Sequence, residues 1–189
     1  MDISLATALL LIDIQNDYFP GGKVELDGSC EASGNAGNLL QKFRELGAPC
    51  IHIQHVSSRP GAMFFLPDTD GVKFHPDVTP QAGELIFHKH FSNSFRETGL
   101  ADHLRQTGIK RLVIAGMMTH MCVDSSVRAA ADLGFECILA HDACATKALK
   151  FNDQVIAAHN VHLSFLAALG HFARVLPSHE ILKELDGTL

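Results

Sequence analysis

Short apolar runs alternate along this chain with longer amphipathic stretches. Ala8 to Ile14, apolar apart from Asp13, has the length of a strand buried on both faces of a parallel sheet. Glu31 to Leu46 places Ala32, Ala36, Leu39, Leu40 and Phe43 on one helical face, with Gly47 as its stop. Cys50 to Val56 and Glu84 to His88 are the next two strand-length runs. A helix capped by Thr98 and ending at Gln106 carries Leu100 and Leu104 inward. Leu112 to Ala115 is a fourth strand, and a helix from Thr119 to Leu133 turns Val123, Val127 and Ala130 to one side. Phe135 to Ala140 is a fifth strand, Asp153 to Leu169 a long helix, Ala173 to Leu176 a sixth strand, and Ser178 opens the last helix. Alternation of this kind predicts an α/β fold, a doubly wound parallel sheet in Rossmann-like order 3-2-1-4-5-6 with helices on both faces. In such sheets the site forms beyond the carboxyl ends of the strands.

One stretch breaks the rhythm. Ser57 to Gly83 has no helical period and contains Pro60, Pro67, Pro76 and Pro80. Met63, Phe64, Phe65 and Leu66 within it need burial, so the stretch reads as a pocket wall or an oligomer contact rather than a disordered linker.

Length and charge narrow the picture. A chain of 189 residues, 47% hydrophobic and 19% charged, fits one globular domain over 1–189. A net charge of −6 without a basic block excludes a nucleic-acid footprint. No apolar run reaches the ~18 residues of a membrane span, and Met1 to Leu5 carries Asp2 where a leader would carry basic residues. Five cysteines without CxxC spacing fit free thiols in a reducing compartment, so a cytoplasmic location is expected.

Three residues point to chemistry. Asp13 ends the first strand, where partial burial suits a carboxylate to proton transfer, though a polar strand end is the plainer reading. Cys122 follows the fourth strand in Gly116-Met117-Met118-Thr119-His120-Met121-Cys122. With Thr119 as N-cap, its thiol would sit in a first helical turn that favours the thiolate and offers amides to an oxyanion. Lys89, among Phe87, Phe91 and Phe95, ends the third strand and would supply positive charge. Doubly wound order brings all three to one edge, an activated-nucleophile constellation. The histidines suggest no metal: His52 and His55 point to opposite faces, and the pairs His88–His90 and His159–His162 lack a third ligand. A copper reading of Met117, Met118, His120, Met121 and Cys122 is equally unsupported. Gln15, where a second carboxylate would stand, excludes a phosphatase-like reading.

These residues carry a family likeness. Asp13 in LLLIDIQNDY, Lys89 in HKHFSNSF and Cys122 in VIAGMMTHMCVDSSVRAA resemble the isochorismatase-like cysteine hydrolases over nearly the whole chain. The resemblance implies a three-layer αβα sandwich with a six-stranded parallel sheet. It implies Asp13 as general base and acid, Lys89 as electrostatic partner and Cys122 as nucleophile. It implies also a cis peptide between Met117 and Met118, with the amides of Met118 and Cys122 as the oxyanion hole. Amide-cleaving members form a thioester that water resolves.

The nicotinamidases of this group carry an Asp-x-His metal element where this chain reads Gln54-His55-Val56, so no catalytic metal or cofactor is expected. Retention of Cys122 favours C–N cleavage of a small amide or carbamoyl compound. A vinyl ether hydrolase and a non-catalytic scaffold remain alternatives. By position, Phe19, Phe64, Phe65, Asn93 and His120 are candidate pocket residues. A homo-oligomer, dimer or tetramer, is expected, with the apolar loop and Ala129 to Ala131 as contact surfaces.

Overall fold

The structure, a computed structural model, describes residues 6–187; the leader reading of Met1 to Leu5 lies outside them. Eight strands and five α-helices follow in chain order. They are β1 (Thr7–Ile12), α1 (Ser29–Glu45), β2 (Cys50–His55), β3 (Leu85–Lys89), α2 (Leu100–Gln106) and β4 (Arg111–Met117). Then come α3 (Asp124–Asp132), β5 (Glu136–Ala145), β6 (Leu149–Phe151), β7 (Gln154–Ile156), α4 (Ala158–Leu169), β8 (Arg174–Leu176) and α5 (Ser178–Leu185). Six of the strands form one parallel sheet in the order β3-β2-β1-β4-β5-β8. The doubly wound order read from the sequence therefore holds, with its sixth strand falling eighth along the chain.

The centre of the sheet is buried on both faces, which is why β1 from Ala8 and β4 from Leu112 run almost unbroken in apolar residues. In β1, Leu9 and Leu11 join the core beneath α1 and α5. Ala8, Leu10 and Ile12 face the opposite core, with Leu104 of α2, Val127 of α3 and Leu169 of α4. β4 alternates in the same way, Val113, Ala115 and Met117 against Leu112 and Ile114. Each buried aliphatic side chain contributes about 1.5–3 kcal/mol. The α1 positions chosen by periodicity, Ala32, Ala36, Leu39, Leu40 and Phe43, are all buried.

Three elements differ from the sequence reading. The long helix expected from Asp153 begins only at Ala158, because Leu149–Phe151 and Gln154–Ile156 pair as an antiparallel hairpin. Its turn falls at Asn152, in a left-handed conformation that Asn tolerates. Thr98 is not the cap residue of α2: Gly99 occupies that place at φ 73°, while the Thr98 hydroxyl accepts from the Leu100 amide at 3.3 Å. Ala130, expected at an oligomer contact, is fully buried in the core under α3. Among the described residues, no helix is long and apolar enough to cross a membrane.

Gly116 controls how closely β1 and β4 approach. It pairs with Ile12, has φ 144°, and a Cβ there would overlap the Ile12 carbonyl. Only glycine fits such a conformation and such a contact. Gly116→Ala should therefore lower unfolding stability by about 3 kcal/mol. Chemical denaturation would check this; an unchanged midpoint would show that β1 and β4 can separate without cost.

Candidate active site

Four adjacent strands each deliver one polar group to the same edge of the sheet. Asp13 follows β1, His55 ends β2, Lys89 ends β3, and Cys122 lies in the turn after β4. His55 and Lys89 are register partners, and Ile12, next to Asp13, pairs with both Ile53 and Gly116. Beyond Ile12 the backbone turns into the left-handed region at Asp13 (φ 51°), which an aspartate tolerates. That turn ends the strand and leaves the Asp13 side chain wholly buried.

Lys89 is the hub. Its ammonium lies 2.6 Å from Asp13 Oδ2, 3.2 Å from Cys122 Sγ, 3.1 Å from the Phe91 carbonyl and 3.2 Å from His55 Nδ1. Lys89 and Asp13 are both excluded from solvent, and Cys122 is 5% exposed. Asp13 Oδ1 has no hydrogen-bond partner, so the carboxylate retains a free acceptor.

The Cys122 segment is not the capped helix expected from Thr119. Residues Thr119–Val123 form a π turn that runs into α3. Met118 precedes it, and the Met117–Met118 peptide is cis. The Met118 carbonyl accepts from the amides of Met121 and Val123, passing over Cys122. The Thr119 hydroxyl caps nothing; it lies 3.2 Å from the Ala145 carbonyl and 2.9 Å from His162 Nδ1, tying the turn to β5 and α4. Single-turn π segments of this kind often occur at functional sites.

The electrostatics reverse one expectation. Burial pushes the Cys122 thiol pKa up, the Asp13 charge pushes it further, and Lys89 only partly opposes them. Burial and the Asp13 charge thus favour the neutral thiol over the thiolate. Burial alone would lower the Lys89 pKa, but Asp13 and Cys122 outweigh it and raise the value, so the ammonium persists at neutral pH. Burial, then the Lys89 charge, pushes His55 down to about 4. An ammonium offers only donors, so His55 Nδ1 must accept and the ring proton sits on Nε2.

Sequence reasoning missed His55, although it ends a strand beside Asp13's own. It missed also Gln15 and Asp17, which alternate with Asp13 in IDIQND. Gln15 Oε1 accepts from the His55 amide at 2.8 Å, and its Nε2 donates to the carbonyls of His55 and Val72. Asp17 accepts from the amides of Phe65 and Lys23. Both side chains are buried, and both pin the long connection after β2 to the end of β1. A period of two among polar residues continuing an apolar strand was the available signal.

That connection walls a cavity of about 540 Å³ that reaches the site at His55. Phe64, Met63, Phe91 and Met121 are among its lining residues. Of the five positions expected there, Phe64 alone is in the wall. Phe65 turns inward against Tyr18 with ring centres 4.7 Å apart. Phe19 stacks on His75 at 3.7 Å. Asn93 Oδ1 accepts from the Phe95 amide, and His120 Nδ1 lies against the Thr146 hydroxyl. Each of those four is committed to a local contact, so position along the chain misjudged its direction.

Among the described residues, only Asp13, His55 and Cys122 place three metal-ligating atoms within 4.8 Å of one another. The Lys89 ammonium touches all three side chains, so the chain already supplies a cation there.

Comparison with known proteins gives a consistent picture. The isochorismatase domain model matches residues 7–170. The chain is 46% identical over 180 residues to the isochorismatase family protein YddQ of Bacillus subtilis, covering 95% of this chain and all of that one. It is 28% identical over 149 residues to the maleamate amidohydrolase of Pseudomonas putida, covering 71% and 70% of the two chains. A crystal structure from Oleispira antarctica shares 48% identity, with a TM-score of 0.91 over 96% of this chain and 98% of that one.

The depressed His55 pKa has a consequence for stability. An unfolded histidine titrates near 6.5, so the neutral folded ring contributes stability in full above about pH 6.5, and that contribution is lost as pH falls toward 4. The wild type should therefore lose more stability between pH 7 and pH 4.5 than His55→Gln, measured by urea denaturation. Equal losses would mean that His55 protonates as readily folded as unfolded.

Proposed function

The chain belongs to the isochorismatase family of hydrolases, and from that premise we propose that it cleaves a C–N bond of a small amide through Cys122. The observation that supports this reading most is the buried contact of the Lys89 ammonium with both Asp13 and Cys122. The amidohydrolase name of a relative points the same way.

Burial beside Asp13 favours the thiol over the thiolate, so proton transfer accompanies attack. Cys122 Sγ attacks the amide carbon while its proton passes to Asp13, whose carboxylate is within reach. The ammonium of Lys89 offsets negative charge on whichever of the two carries it. Charge developing on the carbonyl oxygen is met by the amides of Met118 and Cys122, the oxyanion hole expected from the sequence. Asp13 then returns the proton to the leaving nitrogen, the C–N bond breaks, and ammonia or an amine departs from the thioester. Water, deprotonated by Asp13, attacks the thioester; the proton returns to sulfur and the acid is released. One carboxylate thus serves as base and acid in each half of the cycle.

Ammonia release from a panel of small primary amides tests the reading. Cys122→Ala should lower release by at least 1,000-fold, the usual scale for loss of a nucleophile, with the fold unchanged by circular dichroism. Equal release by both proteins would sink the nucleophile assignment. Activity on a vinyl ether that survives the same substitution would favour ether cleavage instead.

A further inference from the structure

The chain draws its aromatic side chains almost wholly from phenylalanine: it has 12 Phe and a single tyrosine, Tyr18. That tyrosine is 1% exposed and ends the short 3-10 turn Asn16–Tyr18 that follows Asp13. Its ring packs on Phe65, with centres 4.7 Å apart, and on Phe64 at 6.2 Å. A phenylalanine would make both contacts, so packing does not call for the hydroxyl. Nor does a local hydrogen bond, because the Tyr18 hydroxyl has no such partner among the described residues. A buried polar group left unpaired is costly unless something else engages it.

The hydroxyl lies toward the reacting groups. A charge on Cys122 acts on it most strongly, then that of Asp13, and after them that of Asp17, its neighbour in the chain. Burial and these negative charges hold the phenol pKa well above its ordinary value, so the group keeps its proton and remains a donor. Asp17 is engaged elsewhere, its two oxygens accepting from the amides of Lys23 and Phe65. Asp13 Oδ1 is a buried acceptor without a partner. An unpaired donor and an unpaired acceptor thus flank the sulfur, and no direct bond joins them. One water satisfies both, accepting from the first and donating to the second.

We propose that Tyr18 is a further catalytic residue, which holds the water that releases the acyl group from Cys122. The water oxygen accepts from the Tyr18 hydroxyl and donates to Asp13 Oδ1, leaving a lone pair for the thioester carbon. As the C–O bond forms, the donated proton passes to Asp13; as the C–S bond breaks, it returns to sulfur. Tyr18 keeps its own proton throughout. This role rests on Cys122 as the nucleophile of the proposed reaction, but not on the group that Cys122 first expels.

Deacylation measured by itself tests the assignment. Brief exposure to p-nitrophenyl acetate, an activated ester that acylates a thiol without amide cleavage, loads Cys122. Excess ester is then removed and loss of the acetyl mass is followed by intact-protein mass spectrometry. Tyr18→Phe, which keeps the ring, should lose the acetyl group about tenfold more slowly than the wild type, the scale of one lost hydrogen bond. Its loading, read as the burst of p-nitrophenolate, should stay within about twofold. Hydroxylamine, a stronger nucleophile that needs less positioning, should strip the acetyl group from both proteins at similar rates, and Cys122→Ala should carry none. Equal loss from both proteins in water, loading slowed in the same proportion as loss, or no acetyl group on Cys122 would each overturn the proposal. The expected acetyl kinetics without ammonia release from any amide would keep the role of Tyr18 and sink the amide reading. Ammonia release with equal acetyl loss would do the reverse.

Discussion

A buried ammonium is the constraint around which this molecule is organised. Lys89 is excluded from water, and an unpaired charge there would cost several kcal/mol. It is tolerable because Asp13, Cys122, His55 and the Phe91 carbonyl surround it. Three of those side chains arrive from strand ends or from the turn that follows one. The order β3-β2-β1-β4 brings them together, with the long lysine side chain crossing β2 to reach Asp13. Removing one member of such a pair typically costs about 3–5 kcal/mol. Stability and chemistry therefore depend on the same contact.

Gly116 and the π turn set the remaining geometry. Because glycine lets β4 approach the Ile12 carbonyl, the turn that follows it lies directly against Asp13. The turn is then fixed from the far side by Thr119, which reaches β5 and α4. Sulfur is thus held by elements from both halves of the sheet, and burial beside Asp13 favours its neutral form. Such a resting state favours selectivity over reactivity, since a buried thiol is a poor target for passing electrophiles.

The cavity depends on Gln15 and Asp17. These two side chains convert a proline-rich connection, which carries a single 3-10 turn at Pro76–Val78, into a fixed wall. Gln15 also holds the backbone of His55, so the wall and the lysine's neutral partner share one anchor.

Much of this was legible in the chain itself. Apolar runs mark the strands, and Asp13 and Lys89 stand at the ends of two of them, with Cys122 in the turn beyond a third. Strand order then brings them to one edge, so the catalytic candidates followed from local pattern plus a topology rule. Direction did not follow. The hairpin at Leu149–Ile156 hid within an apparent helix because a short exposed pair of strands has no core face to impose a period. Phe19, Phe65, Asn93 and His120 turned away from the cavity because packing and local hydrogen bonds, not chain position, aim a side chain. The sequence alone determined which chemical groups are present and which edge of the sheet collects them. Tertiary structure decided which way the Cys122 and His55 pKa values shift, because desolvation and neighbouring charges exist only once distant segments have met.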